Sequence, residues 1–174
     1  CLAIMFAFVG NRGLIKNSWH YAQFEYPDLP DQIRLELDLV SSAPTGAQLF
    51  WDSGNGYSEA ESDMVTLAPI DGLQTARFNL PKKPINSLRL DPRFNTGEVT
   101  IRGIRIVDWG NRTHAVLPLD ALFPGQYIDS LEMVDGSLEI LTSASQDDPT
   151  TEFKSDVVAQ INTAIAERLN RFNY

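Results

Sequence analysis

Residues 88–110, LRLDPRFNTGEVTIRGIRIVDWG, confine this chain to a narrow set of folds. Leu88 and Leu90 alternate with Arg89 and Asp91, the two-residue period of a strand with one buried face. Pro92 ends that strand, because proline has no N–H to give a ladder. Phe94-Asn95-Thr96-Gly97 then turns the chain into a second strand beginning at Glu98. Val99 and Ile101 share one side of it, while Ile104 and Ile106 fall out of phase with them by one residue. A β-bulge within residues 102–104, at Gly103, returns both pairs to the same side. Two adjacent strands with such a bulge make the centre of a sheet.

The rest of the chain supplies partners for that centre. The aromatic stretch at residues 19–26, WHYAQFEY, is strand-forming and is closed by Pro27-Asp28-Leu29-Pro30. Ile33, Leu35, Leu37 and Leu39 alternate with Arg34, Glu36 and Asp38 as a half-buried strand. Further strands are expected at residues 47–52, 63–67 and 75–80, and residues 118–125 are irregular or one helical turn. Asp135-Gly136 between residues 130–134 and 137–142 is the sequence of a type I′ hairpin.

The periodicity then changes. Val158, Ile161, Ile165, Leu169 and Phe172 fall three or four apart, predicting an amphipathic helix over residues 155–174 with Ser155 or Asp156 as N-cap. Short strands punctuated by turns, with one helix at the end, predict an all-β fold: an antiparallel, jelly-roll-like β-sandwich of about eight or more strands with a C-terminal amphipathic helix. The expected organisation is an apolar segment at residues 1–12, a β-sandwich at 13–142, an acidic linker at 143–154 and the helix at 155–174.

Charge narrows the partners. With 14 Lys and Arg against 23 Asp and Glu, the net charge is −9, so the chain lacks the basic footprint that nucleic acid needs. Anionic lipid headgroups should repel it as well. Cys1 is the sole cysteine, which excludes an intrachain disulfide and a cysteine-based zinc site. Residues 1–10, CLAIMFAFVG, are too few to span a bilayer, which takes about 20 residues. They fit the end of a truncated membrane or signal segment, a buried first strand, or a lipidated Cys1.

No G-x-S-x-G elbow, glycine-rich phosphate loop or H-E-x-x-H pair is present, and His20 and His114 have no ligand-spaced partner. The most suggestive stretch for binding is residues 50–61, FWDSGNGYSEAE. Its glycines let Trp51 and Tyr57 present rings to the apolar face of a sugar, while Asp52, Asn55 and Glu59 take the hydroxyls. On the bland view, Trp51 belongs to the core. No cofactor is expected; a structural Ca²⁺ on Asp52, Asp91 or Asp108 is the cation candidate, since hard cations take carboxylate oxygens. On the outer sheet face, Arg89, Arg102 or Arg105 should pair with Glu59, Asp91 or Glu98.

The pair LFWDSGNGYSEAES and LRLDPRFNTGEVTIRGIRI resembles a β-sandwich domain of bacterial membrane proteins of surface-polysaccharide assembly, including membrane-associated glycosyltransferases. In general shape that domain is similar to carbohydrate-binding modules. The resemblance covers residues 19–142 and implies a non-catalytic accessory domain, membrane-anchored on the extracytoplasmic side. Its implied partners are a glycan or polysaccharide and neighbouring membrane helices of the same protein or complex. It brings no catalytic residue onto this sequence, which has no D-x-D context. The competing expectations are a scaffold or protein-interaction domain without a glycan site, and a jelly-roll glycosidase or lyase built on two facing carboxylates.

Overall fold

The computed structural model describes residues 32–41, 45–68, 72–92, 97–143 and 148–170. The apolar start and the strand expected at residues 19–26 lie outside them, as do Cys1 and His20. The first sheet holds β1 (Ile33–Ser41), β4 (Gln74–Asn79), β6 (Gly97–Asp108), β7 (Thr113–Leu117), β9 (Ile128–Val134) and β10 (Ser137–Thr142). The second holds β2 (Thr45–Asp52), β3 (Ser62–Leu67), β5 (Ser87–Asp91), β8 (Leu122–Pro124) and β11 (Thr151–Phe153). A helix, α1 (Ser155–Asn170), follows β11.

Strand order is β4-β1-β6-β10-β9 in the first sheet, with β7 also paired to β6, and β3-β2-β5-β11-β8 in the second. Neighbours run antiparallel throughout. The chain passes repeatedly between the sheets, giving an antiparallel, jelly-roll-like sandwich whose two inner faces share one apolar core. Leu35, Leu37, Phe78, Ile101, Ile104 and Ile106 line it from one sheet, and Leu49, Leu88 and Leu90 from the other.

The bulge sits where the apolar phase slips. Asp38 faces Gly103 and Leu39 faces Ile101, so Arg102 is the extra residue on β6. Ile101 and Ile104 are both buried as a result. Gly103 is needed for close approach: a Cβ there would lie 3.3 Å from the Asp38 carboxylate.

That carboxylate belongs to an ion-pair network on the outer face of the first sheet. Arg105 donates to Glu36 at 2.9 Å and to both oxygens of Asp38, while Arg77 reaches Glu36 at 3.0 Å. Arg105 thus pairs with β1 carboxylates rather than with Glu59, Asp91 or Glu98, because the register sets Glu36 opposite both Arg105 and Arg77. The pairing expected for Arg89 does form, with Asp91 at 2.9 Å.

The Asp135-Gly136 turn is type I′, with φ of 47° and 77°. Thr151–Phe153, expected within the acidic linker, instead forms β11 between β5 and β8, with Thr151 and Phe153 buried. The Thr151 hydroxyl donates to Leu90 O at 2.8 Å, which satisfies a polar side chain at a core position.

Helix α1 buries Val157, Val158, Ile161, Ala164 and Ile165 against the same core. Fully burying a Val or Ile side chain contributes about 1.5–3 kcal/mol, so this stripe alone explains the docking. Val158 N–H bonds to Lys154 O, which puts the N-cap at Lys154 rather than at Ser155 or Asp156. Asp156 in the first turn still complements the helix dipole.

Candidate functional site

The stretch singled out from the sequence lies on β2 and the loop behind it. Alternation along β2 sends Ala47, Leu49 and Trp51 towards the core and Gln48, Phe50 and Asp52 outward. Trp51 is half-buried and packed against the core cluster, opposite Leu88. Phe50 faces Arg89 on the outer side, Gln48 faces Asp91, and Arg89 in turn faces Glu152 of β11.

Asp52 folds the loop back. Its Oδ1 accepts the N–H of Gly54 at 2.6 Å and of Gly56 at 2.8 Å, and these glycines adopt φ of 124° and 82°. Those N–H groups, with Gly54 first, hold the Asp52 carboxyl below the ordinary carboxylate value. Glu61 takes the Ser53 N–H at 3.2 Å and the Lys83 ammonium at 2.7 Å. Gln48 donates to Glu59 at 2.8 Å and to Ser62 at 3.0 Å. Both ends of the loop are thereby tied to the sheet.

The loop sets Tyr57 over Arg89. The guanidinium carbon lies 4.3 Å from the centre of the Phe50 ring and 5.3 Å from that of Tyr57, so one cation stacks on two rings. This cover explains why Phe50, on an outer face, is only 5% exposed. The Tyr57 hydroxyl is pushed above its usual pKa, chiefly by burial.

Asp91 is the unusual group here. It is 3% exposed, and burial pushes its pKa up to about 6 despite the neighbouring Arg89. Negative charge on Asp148 and Glu59 adds to the rise. Among the described residues, Asp91 Oδ1 and Arg89 Nε have no hydrogen-bond partner, which accounts for the poor solvation of the anion.

The five residues named from the sequence therefore divide. Asp52 anchors the loop, Asn55 is exposed near its tip, Tyr57 is half-buried over Arg89, and Glu59 is exposed and bonded to Gln48. Trp51 sits on the opposite side of the sheet from Tyr57, so the two rings do not form one platform. Sequence reasoning does not single out Gln48 and Glu152, and it expects Arg89 only as an ion-pair partner on the outer face; the stacking of Arg89 on Phe50 and under Tyr57 follows from the register. Asp52 and Asp91 belong to the second sheet and Asp108 to the first, and no group of three potential metal ligands occurs among the described residues.

A second polar cluster lies where β7 meets α1. His114 is skipped in the β6–β7 register, and its Nε2 stands 3.3 Å from Asp108 Oδ2. Burial acts to raise the Asp108 pKa, but the Arg112 N–H, His114 and the charge of Arg168 together hold it below the ordinary value. A cavity of about 200 Å³ opens beside it, lined by His114, Ala115, Gln160, Thr163, Ala164 and Glu167.

No helix among the described residues is long and apolar enough to cross a membrane. Compared with protein-family models, with curated proteins and with solved structures, the chain matches none of them.

Proposed function

We propose that this chain is a non-catalytic β-sandwich domain that holds a glycan for a membrane-bound polysaccharide or glycosyltransferase system, on the extracytoplasmic side of a bacterial membrane. The observation that carries the binding role is the Tyr57 ring, half-buried and fixed over Arg89, with Asn55 and Glu59 exposed on the same loop. A pinned ring beside an amide and a carboxylate suits a sugar, which offers an apolar ring face and a rim of hydroxyls. Asp91 has the pKa of a general acid, about 6, but at 3% exposure it is out of reach of a ligand on this face. That burial supports a binding role without turnover. The membrane setting rests on the sequence resemblance and on the apolar residues 1–10.

Trp51 favours a second reading. Its packing against the core makes the β2 end of the loop structural, as a scaffold or protein-interaction domain would have it. A glycan array of bacterial surface polysaccharides, followed by calorimetry, separates the two. Glycan binding weakened by about 0.5–1.5 kcal/mol in Tyr57→Ala supports the first reading. The absence of binding at millimolar glycan supports the second, and release of reducing ends would refute the claim of no turnover.

A further inference from the structure

Trp109 stands half out of the surface, 52% exposed, in the turn joining β6 to β7. That turn is firmly held. Asp108 N–H donates to Arg112 O, and Asp108 Oδ1 accepts the Arg112 N–H, both at 3.0 Å. Asn111 N–H donates to Asp108 O at 2.9 Å. From β1, Arg34 Nη2 donates to Asn111 Oδ1 at 2.7 Å and to Asp108 O at 3.3 Å. Asn111 itself has a φ of 61°, a conformation asparagine tolerates better than most residues. A ring displayed on so fixed a turn loses little freedom when a ligand meets it.

Positive charge gathers at the same corner. Arg34 braces the turn with its guanidinium, Arg112 holds it through its backbone N–H and C=O, and the charge of Arg168 on α1 acts on Asp108. In a chain of 14 basic and 23 acidic residues, this corner brings together Arg34, Arg112 and Arg168 with the buried Asp108, while Glu167 lines the cavity beside His114. Arg112 is exposed, and Asn111, whose Oδ1 is taken by Arg34, has its amide nitrogen left to donate.

We propose that this corner is a second ligand site, for an acidic saccharide: a sugar ring packs on the Trp109 indole, its carboxylate meets Arg112, and its hydroxyls meet the Asn111 amide. The ligand class follows from the parts. One flat ring calls for one apolar ring face, a guanidinium for an anion, and an amide for hydroxyls. A nucleic acid would need a longer basic track. An anionic bilayer would meet the net charge of −9 on the whole chain. The proposal rests on the glycan-binding reading of the domain but not on the Tyr57 face, which belongs to the other sheet.

Calorimetric titration of the full chain with a galacturonate oligomer, a glucose oligomer of equal length and phosphatidylglycerol vesicles tests it. The galacturonate oligomer is expected to bind saturably and at least about tenfold more tightly than the glucose oligomer, with affinity falling as salt rises. Trp109→Ala and Arg112→Gln should each weaken it about five- to tenfold. Trp109→Phe should keep most of the affinity; thermal unfolding of each variant checks that the fold is intact. No saturable galacturonate binding at millimolar concentration would overturn the site, as would equal affinity for both oligomers or binding that survives both substitutions. Vesicle binding that depends on Trp109, without galacturonate binding, would make the turn a membrane contact instead. Glucose-oligomer binding lost in Tyr57→Ala, together with galacturonate binding that is absent or unchanged in Trp109→Ala, would leave the Tyr57 face standing and overturn this proposal alone.

Discussion

The side chain of Asn162 on α1 closes a two-bond ring with the backbone of Ile85. Its Oδ1 accepts the Ile85 N–H at 2.9 Å, and its Nδ2 donates to Ile85 O at 2.8 Å. Ile85 is 3% exposed and lies two residues before β5, so these peptide groups have no strand neighbour and little water. A carboxamide is the one side-chain group that offers donor and acceptor at the spacing a passing strand would. The helix is thus joined to the second sheet as though it lent it a residue of ladder.

Asn162→Ala should therefore cost about 2–3 kcal/mol, because it leaves a buried donor and a buried acceptor without partners. Asn162→Asp keeps the acceptor but turns the Nδ2 contact into repulsion between oxygens, so it should be no better than alanine at neutral pH. Urea unfolding of the two variants measures both effects.

Asp91 predicts an inverted pH response. Its folded pKa of about 6 stands above the ordinary 3.8, so the folded state holds this proton more tightly than the unfolded chain does. Its contribution is most favourable below about pH 4, shrinks as pH rises through the interval up to 6, and is constant above it. The gap corresponds to about 3 kcal/mol at most. Asp91→Asn should remove that slope and be no less stable than the parent chain at pH 7, as urea midpoints taken between pH 4 and 7.5 would reveal.

Asp38 should behave in the opposite sense. Its hydrogen bonds to Arg105, chiefly, and to Thr75 outweigh burial and hold its pKa below the ordinary value. Its stabilisation is present above the unfolded value near 3.8 and disappears as pH falls through the lower folded one. Asp38→Asn should be destabilised at pH 7 and match the parent more closely at strongly acid pH. An equal loss at both extremes would assign the effect to packing.

At Gly56, with φ of 82°, an added Cβ would meet nothing within 4 Å, so only backbone strain opposes substitution. Gly56→Ala should cost about 1–2 kcal/mol and loosen the Tyr57 cover. Faster hydrogen exchange at the Gly56 amide, which donates to Asp52, is the local readout.

Removing residues 155–174 should uncover the core that Val157, Val158, Ile161, Ala164 and Ile165 now close. The truncated chain should be less soluble and unfold at lower urea than the parent. A truncation as soluble and as heat-stable as the full chain would show that the stripe contributes nothing to this core.

Most of the sandwich is legible in the sequence because half-buried strands write their phase in it. The slip between Ile101 and Ile104 calls for one surplus residue, since an unbroken strand would expose two isoleucines, but it points to Gly103 as readily as to Arg102; the register makes it Arg102. β2 is harder to phase: Leu49, Phe50 and Trp51 are consecutive and apolar, so alternation cannot choose which ring faces out. Arg89 and Tyr57 decide it by covering Phe50, and both belong to other segments. β11 is hidden for a different reason. Three residues, Thr-Glu-Phe, in an acidic stretch carry no period, and what makes them a strand is the pair of edges on β5 and β8. The Arg105 partners were likewise invisible until the register brought Glu36 and Asp38 beside β6.

The place of β11 bears on how the chain is made. It is the last strand in sequence, yet it lies between β5 and β8 in the second sheet. On a ribosome, β5 has long emerged, and β8 has followed, before Thr151–Phe153 exists to bridge them. Until then, among the described residues, β5 has β2 on one side only and β8 has no partner within its sheet. The first sheet can be complete by Thr142, because all its described strands lie before that point. A nascent chain of this protein therefore passes through an interval with one sheet closed and the other gapped, when its unpaired edges are open to any other strand nearby. Termination of that interval falls to residues 151–170, which supply the missing strand and, directly after it, the helix that covers the core.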